Sequence, residues 1–193
     1  VLSTAMSFLG LYRDPVVATV TRRCDWRIHD LLEGKTATTL YLVVPPSDIS
    51  RTKPLVRLIL NQIGRRLTEE LDARRRRHRL LLMLDEFPAL GRLDFFESAL
   101  AFMAGYGLKA MIIVQSFKDI VEAYGQHNTI VDNCHVIVAF ATADSETAHK
   151  ISDMTGRAVE YRQSQNFHFG SWLKGSRSFQ EVQRNVLEPG DVR

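Results

Sequence analysis

The sequence predicts an α/β fold in which a mainly parallel sheet lies between helices. Short apolar runs alternate along the chain with segments that have the apolar periodicity of helices, and this alternation is typical of a parallel sheet. From Val159 onward the pattern changes to alternating β sequence punctuated by glycine, which predicts a hairpin-like extension. The four apolar runs cover residues 39–44, 80–84, 110–114 and 135–141.

The run Leu80–Leu84 leads directly into two adjacent acids, Asp85 and Glu86. An unbroken apolar run of this length predicts a strand buried on both faces of a parallel sheet, and such sheets bind ligands at the carboxyl ends of their strands. This is the Walker B arrangement of a nucleoside-triphosphatase. The first acid holds Mg²⁺, largely through its waters, and the second positions the attacking water. We therefore predict Asp85 as the metal- and cofactor-binding residue and Glu86 as a catalytic residue.

The alternative is a buried strand that merely ends in solvated acids, since short motifs match by chance. The residues that follow the acids, 87–91, are an apolar loop rather than a solvated one. We therefore expect other parts of the chain to pack on them, which favours a functional site.

Gln115 and Ser116 follow the predicted strand 110–114. A polar residue at that strand end resembles the sensor of RecA-like ATPases, whose amide holds the attacking water or contacts the γ-phosphate. The alternative is that Ser116 caps the next helix while Gln115 is exposed. The residues alone leave both interpretations open.

Two further helices have sequence signals. Pro54 predicts the first turn of a long helix with an apolar face from Leu55 to Leu71, which closes in the basic run 74–79. That run is either a DNA- or lipid-facing patch or a solvated helix end, and the absence of interleaved aromatic residues favours the solvated end. Asp94 and Glu97 have capping-box spacing for a helix after the apolar loop.

Composition sets broad limits on function. The chain has 193 residues, of which 45% are hydrophobic and 24% charged, enough for the core of a soluble globular protein. A net charge of +3 permits a nucleic-acid partner without proving one. Cys24 and Cys134 lack any paired spacing, which predicts free thiols in a reducing compartment, and the histidines show no zinc-ligand spacing. No run approaches the length of a membrane span, and no signal peptide opens the chain.

We expect the sequence to be a fragment of a longer protein. It begins without Met, and a phosphate loop should precede a Walker B strand. The only near match covers residues 29–36, which end in Gly-Lys-Thr. That segment has His29 where the first glycine must be, and Asp30 and Glu33 would repel phosphate. We predict that it does not bind phosphate and that this chain alone does not hydrolyse ATP.

Several motifs together resemble one family. They are MSFLGLYRDP (6–15), LYLVVPPSDISRTKPL (40–55), DEFPALG (85–91), MAGYG (103–107), IIVQS (112–116), AYG (123–125) and DNCH (132–135). With these motifs the chain resembles the coupling proteins of type IV secretion, the TraG/VirD4 family, and in particular its TraG branch. The likeness covers nearly the whole chain and is densest from residue 40 to residue 156.

The resemblance implies a RecA-like P-loop NTPase fold without its phosphate loop, which lies well upstream in the family. It divides the chain into the tail of an inserted helical domain with a linker (1–38), a nucleotide-binding core (39–156) and a truncated β-rich extension (157–193). It implies ATP and Mg²⁺ as cofactors. It also favours the catalytic sensor role for Gln115.

Rings of RecA-like subunits usually complete each site with an arginine from the next subunit. Some relatives carry a basic residue in the turn that is Ala104–Tyr106 here, so this assignment does not transfer. Arg92, Arg157 and Arg184 remain as weaker candidates.

The implied function is that of part of an ATP-hydrolysing coupling protein. Such a protein recruits DNA with its bound relaxase in the relaxosome, or effector proteins, and drives them into a conjugation channel. The resemblance also implies contacts with other type IV secretion components and a homo-oligomeric ring, a hexamer. It places the full-length protein at the cytoplasmic face of the bacterial inner membrane, attached through a region outside this soluble fragment. The alternatives are a non-catalytic docking module for secretion substrates and another RecA-like DNA motor.

Overall fold

A computed structural model of the chain describes residues 6, 9–70, 76–166 and 176–193. The chain divides into two compact units, which are described separately. The first contains the residues up to Val114 together with Asp119–His135, and the second contains Gln115–Lys118 together with Val136–Arg193. Parts of two sequence features lie outside the described residues, namely residues 7 and 8 of the first family motif and residues 74 and 75 of the basic run.

The first unit contains a two-stranded parallel sheet. Strand β1 (Leu80–Leu84) pairs with strand β2 (Leu108–Ile112). The sequence predicted the bounds of β1, whereas β2 begins before the predicted run 110–114. Leu84 and Leu108 are buried, but Leu81 and Met83 are 54% and 61% exposed. The prediction that β1 is buried on both faces is therefore wrong, because only one face of this pair is covered within the described residues.

The apolar runs 39–44 and 135–141 do not form strands, so this part of the prediction is wrong. Both lie outside any helix or ladder. Tyr41, Val43 and Phe140 are 79%, 84% and 83% exposed. A parallel strand obtains its backbone hydrogen bonds from a neighbouring strand, so apolar composition alone does not produce one. The mainly parallel sheet of the prediction is reduced to a single parallel pair in the part of the chain described.

Six α-helices lie in the described residues. They are α1 (Pro15–Thr21), α2 (Asp30–Glu33), α3 (Ile49–Leu67), α4 (Asp94–Ala99), α5 (Phe117–Tyr124) and α6 (Ser145–Met154). Short 3₁₀ turns cover Gly10–Arg13, Pro46–Asp48, Phe87–Leu90 and Met103–Tyr106. No helix in the described ranges has the length and apolarity needed to cross a membrane.

Helix α3 begins and ends earlier than predicted. It starts before Pro54, which therefore lies inside the helix, and it ends at Leu67. The basic run is thus not the end of this helix. Arg76 instead donates hydrogen bonds to the carbonyl oxygens of Glu70, at 2.9 Å, and Tyr106. At least this arginine stabilises the fold of the first unit.

A glycine lets α3 and α4 approach closely. A Cβ atom on Gly64 would lie 2.5 Å from Cε1 of Phe95, so only glycine fits without moving that ring. The Arg65 guanidinium lies 5.0 Å from the centre of the same ring, in a cation–π contact. Ile63 and Leu67 are buried on α3. Helices α3 and α4 therefore pack closely against each other, and α4 is the first helix after β1 along the chain.

The capping box predicted for α4 is wrong. The helix begins at Asp94, and the residue before it, Leu93, makes no side-chain cap bond. Arg92 pairs with both acids of the predicted motif: its Nε lies 2.7 Å from Asp94 Oδ1 and its Nη2 lies 3.1 Å from Glu97 Oε2. Asp94 therefore lies inside the helix and pairs with Arg92, and Leu93 stands at the cap position.

The second unit contains the predicted hairpin. Strands β3 (Arg157–Asn166) and β4 (Ser176–Asn185) pair antiparallel over their whole length. Asp144 caps α6 by accepting a hydrogen bond from the N–H of Thr147 at 2.9 Å.

Ser152 connects α6 to the end of the hairpin. It is fully buried, donates to the carbonyl oxygen of Leu187 and accepts from Nδ2 of Asn185 at 2.8 Å. This buried hydroxyl therefore finds both a donor and an acceptor at the end of β4 and just after it.

Ser152→Ala should lower the free energy of unfolding by about 1–3 kcal/mol, because it removes both hydrogen bonds of a buried hydroxyl. Ser145→Ala, at an exposed position on the same helix, should change it by less than about 0.5 kcal/mol. Denaturant unfolding, with hydrogen exchange of the α6 amides, measures both variants. Equal stability of the two variants would contradict the assigned role of Ser152.

Both cysteines are free thiols, as the sequence predicted, with Cys24 exposed and Cys134 half-buried. Burial raises the pKa of the Cys134 thiol, so less of it is the reactive thiolate at a given pH. In the folded chain we expect a thiol reagent to modify Cys24 faster than Cys134, and in denaturant we expect similar rates. Mass spectrometry of timed samples measures each rate. Equal rates in the folded chain would show that Cys134 is not protected.

Candidate functional site

The acid pair lies at the carboxyl end of β1 and is held on both sides by one residue. The N–H of Ile113 donates to the carbonyl oxygen of Leu84 at 3.0 Å, and the carbonyl oxygen of Ile113 accepts from the N–H of Phe87 at 3.2 Å. Asp85 and Glu86 lie between these two bonds and are exposed. The backbone on either side of the pair is therefore fixed while both carboxylates remain accessible.

Glu86 has a strained backbone. Its φ of 47° and ψ of 42° are left-handed, and no other non-glycine residue described has a positive φ. This conformation costs about 1–2 kcal/mol and persists only where the surroundings enforce it. The N–H of Glu86 donates to Oδ1 of Asp85 at 3.1 Å. Strain of this kind concentrates at functional sites, so the outlier supports a functional role for the pair.

Phe87 anchors the segment after the acids in the core. Its side chain is fully buried. The ring stacks on Tyr124 with 5.4 Å between centroids and tilts against Phe96 at 5.6 Å. The prediction that other parts of the chain pack on the apolar loop is confirmed.

Tyr124 also holds the chain where it leaves this loop. Its hydroxyl oxygen accepts a hydrogen bond from the N–H of Leu93 at 3.3 Å in a buried environment. Burial raises the pKa of Tyr124 to about 12. The neutral hydroxyl is therefore the form that stabilises the fold.

The 3₁₀ turn Phe87–Leu90 is held by α3 at its far end. Nη1 of Arg57 donates to the carbonyl oxygen of Leu90 at 3.2 Å. Gly91 follows with a φ of 67°, and a Cβ there would lie 2.9 Å from Nζ of Lys53. The backbone conformation therefore favours glycine at position 91, whereas the end of the lysine side chain can move aside.

Sequence reasoning missed these two cations of α3. A signal was present, because Lys53 and Arg57 continue the helix face that carries Leu60, Gly64 and Leu67 at spacings of three and four residues. The sequence did not show that these cations lie beside the turn after the acids.

The structure brings together two of the predicted site residues, Asp85 and Glu86, at the end of β1. Gln115 follows β2 along the chain and belongs to the second unit, so its sensor role stays a prediction. Among the arginines proposed to act in a neighbouring site, Arg92 pairs with two acids of its own chain. Arg184 likewise pairs with Glu188, with 3.0 Å between Nε and Oε1.

The donor set suits a metal–nucleotide complex. Among the described residues, no group of three or more His, Cys, Asp or Glu side chains converges as a metal cage would require. Mg²⁺ commonly binds through one or two carboxylates, and water and substrate phosphates complete its shell. The exposed carboxylate of Asp85 on a fixed strand end fits that role.

Within residues 29–36, the near match to a phosphate loop, Asp30–Glu33 form one helical turn. The N–H groups of Glu33 and Gly34 donate to the carbonyl oxygens of His29 and Asp30 at 2.9 and 3.1 Å. A phosphate loop follows a strand and directs its N–H groups at the ligand. Here these N–H groups are used inside the turn, which supports the prediction that the segment does not bind phosphate.

The fold and the site define a mixed α/β protein with an acid pair at the end of a parallel strand. A family profile described as "Type IV secretory system Conjugative DNA transfer" matches residues 1–193. The chain therefore belongs to this family, the TraG/VirD4 coupling proteins that its motifs resembled.

Individual relatives agree. The chain is 42% identical to the conjugal transfer protein TraG of Escherichia coli over 204 residues, which cover 99% of the chain and 32% of TraG. It is 36% identical to VirD4 of Agrobacterium fabrum over 168 residues, which cover 82% of the chain and 25% of VirD4. The chain thus spans about a third or less of the length of these relatives.

The structure is similar to that of the plasmid coupling protein TrwB in complex with ADP and Mg²⁺. The TM-score is 0.66 at 20% sequence identity, and the match covers 88% of this chain and 37% of TrwB. At this identity the likeness shows the fold alone: a mixed α/β part of a coupling protein, with a small parallel sheet and an antiparallel pair.

The raised pKa of Tyr124 predicts how stability changes at high pH. The pKa is 10.0 for an ordinary tyrosine and about 12 here, so the folded state keeps the proton that the unfolded state releases. This contribution is complete below pH 10 and is lost as the pH rises through about 12. Tyr124→Phe should lower stability at neutral pH by about 1–3 kcal/mol, because the Leu93 N–H loses its partner. The stability of Tyr124→Phe should also fall less steeply than that of the parent chain as the pH rises toward 12.

Unfolding free energies measured from neutral to strongly alkaline pH test this prediction. Tyr41→Phe is the matched control, because Tyr41 is 79% exposed. Parallel pH curves for the parent chain and Tyr124→Phe would contradict the prediction.

Proposed function

We propose that this chain is the Walker B part of an ATP-hydrolysing motor domain in a coupling protein that drives conjugative DNA transfer. The observation that carries this proposal is the exposed acid pair held at the end of β1, with Glu86 in an enforced left-handed conformation. Membership in the conjugative DNA transfer family supports it. The proposed fold of the longer protein is RecA-like, and its phosphate loop comes from sequence outside this chain.

In this proposal the domain division follows the family. Residues 39–156 form the nucleotide-binding core, 1–38 are the tail of an inserted helical domain, and 157–193 begin a β-rich extension. The antiparallel hairpin in the last segment supports the third assignment.

Asp85 is the residue that holds Mg²⁺, largely through its waters, beside the phosphates of ATP. The bound ion neutralises charge on the phosphate oxygens. The structure of TrwB was solved in complex with ADP and Mg²⁺, and this supports the same kind of nucleotide and metal for a protein of similar fold. The part played by this chain is to keep the carboxylate at a fixed place, which the two backbone bonds of Ile113 achieve.

Glu86 acts as the general base. Its carboxylate accepts a hydrogen bond from a water molecule and takes the proton as the water oxygen bonds to the γ-phosphorus. The bond from that phosphorus to the bridging oxygen breaks, and ADP leaves. Because hydrolysis of this kind depends mainly on positioning, an enforced backbone at Glu86 contributes directly. Gln115 holds the same water or the γ-phosphate and reports the nucleotide state to α5.

The proposed partners follow from the family. DNA with its relaxase in the relaxosome, or effector proteins, is the cargo, and other type IV secretion components receive it. Copies of the chain form a ring, a hexamer, and an arginine from the next copy completes each site. Arg92, Arg157 and Arg184 are the candidates for this role, and of these Arg92 and Arg184 form ion pairs within the chain. The full-length protein lies at the cytoplasmic face of the inner membrane through a region outside this chain.

Glu86→Gln in the full-length protein should lower ATP hydrolysis about 10²–10⁴-fold, because it removes the charge that polarises water. Nucleotide affinity should change little, because Asp85 is untouched. Glu122→Gln is the control, since it makes the same exchange at an exposed position of α5. Phosphate release and nucleotide titration measure the two quantities.

Asp85→Asn should lower Mg²⁺-dependent nucleotide affinity as well as turnover, because it weakens the metal site. If Glu86→Gln hydrolyses ATP at the parent rate, Glu86 is not the base. If hydrolysis is lost while DNA transfer continues at the parent frequency, the chain belongs to a docking module rather than a motor.

A further inference from the structure

Arg57 connects α3 to the turn after the acid pair. Its side chain is half-buried, and its Nη1 donates to the carbonyl oxygen of Leu90. Leu90 is the last residue of the 3₁₀ turn, and carbonyl groups at the end of a helical turn lack partners within it. A guanidinium at that end is favourable both as a donor and as a positive charge. This bond therefore ties the end of the turn to a long helix.

Glu86, the residue proposed as the general base, directly precedes the turn Phe87–Leu90 and forms its first hydrogen bond. The carbonyl oxygen of Glu86 accepts from the N–H of Ala89 at 2.8 Å, and that of Pro88 accepts from the N–H of Gly91 at 2.8 Å. These bonds make the turn a short rigid unit that starts on Glu86. A rotation of the turn would therefore change the backbone of Glu86 directly.

The two ends of the turn are held by different elements. At the start, Phe87 bonds to Ile113 and its ring is buried. At the end, Arg57 supplies a bond from α3. Because the left-handed conformation of Glu86 is strained, it needs constraints on the segment that follows it. Without Arg57 the end of the turn would lose this constraint.

We propose that Arg57 is a positioning residue for ATP hydrolysis. It fixes the end of the Phe87–Leu90 turn and thereby holds Glu86 in the conformation in which its carboxylate meets the attacking water. The inference rests on the proposed function, since it assigns Arg57 a role that acts through Glu86.

Lys53 is a matched control. It lies one helical turn before Arg57 on the same face of α3, and its Nζ is close to Gly91. It carries the same charge, but within the described residues it makes no hydrogen bond to the turn. A comparison of the two residues therefore separates the effect of a positive charge near the site from the effect of the bond to Leu90.

The experiment uses the full-length protein with Arg57→Gln, Arg57→Lys, Lys53→Gln, Glu86→Gln and the double variant Arg57→Gln/Glu86→Gln. Arg57→Gln should lower kcat about 10- to 100-fold, the effect of a small misplacement of a reacting group. KM and nucleotide affinity should stay within about twofold, because the interaction acts on the chemical step. Arg57→Lys should recover part of kcat, and Lys53→Gln should keep it within about twofold.

The double variant shows whether Arg57 acts through Glu86. Two residues that act as a unit are not additive, so Arg57→Gln should cause no further loss of single-turnover hydrolysis once Glu86 is Gln. Unfolding temperatures of all variants show whether any loss of kcat is a loss of folded protein.

Each outcome assigns the failure to one hypothesis. If Glu86→Gln keeps the parent rate, Glu86 is not the general base, and this part of the proposed function is wrong. If Glu86→Gln abolishes hydrolysis but Arg57→Gln keeps the parent kcat, or lowers it additively in the double variant, only the role of Arg57 is overturned. Loss of kcat with an equal loss for Lys53→Gln, or with unfolding at the assay temperature, also overturns it.

Discussion

Two backbone hydrogen bonds made by Ile113 hold the strand end on which the rest of the site depends. One goes to the residue before the acid pair and one to the residue after it. The ladder between β1 and β2 thus continues past the acids, although neither acid forms part of a strand. Backbone bonds of this kind hold the chain without using the carboxylates themselves. Asp85 and Glu86 therefore stay exposed on a fixed support, which is what positional catalysis by a metal–nucleotide site requires.

The core around Phe87 links the packing of three helices to the backbone conformation of the turn after the acid pair. Phe87 is buried between residues of α4 and α5, and α4 packs tightly on α3 because Gly64 leaves room for a ring. Arg57 then bonds from α3 back to the turn. Three helices therefore meet on the few residues after the acids. Removing any one contact releases only part of the constraint, and the strain at Glu86 is sustained by their sum.

Local signals in the sequence predicted the parts of the structure that depend on local chemistry. These include β1 with its acid pair and the antiparallel hairpin. Arg57 escaped prediction because its partner, Leu90, is 33 residues away and offers only a backbone carbonyl, which no side-chain pattern marks. The left-handed Glu86 escaped for a similar reason: glycine is the usual signal for that conformation, and here tertiary packing enforces it on another residue.

The failed strand predictions have a different cause. The runs 39–44 and 135–141 have the composition of strands buried on both faces, yet Val43 and Phe140 are largely exposed. Leu81 and Met83 show the same mismatch on β1 itself. The matched relatives are about three times longer than this chain. Composition reflects the surroundings of a residue in the whole folded protein, whereas a ladder needs its neighbour to be present. Among the described residues neither run lies beside a strand that could form a ladder with it, so apolar composition was not enough to predict a strand there.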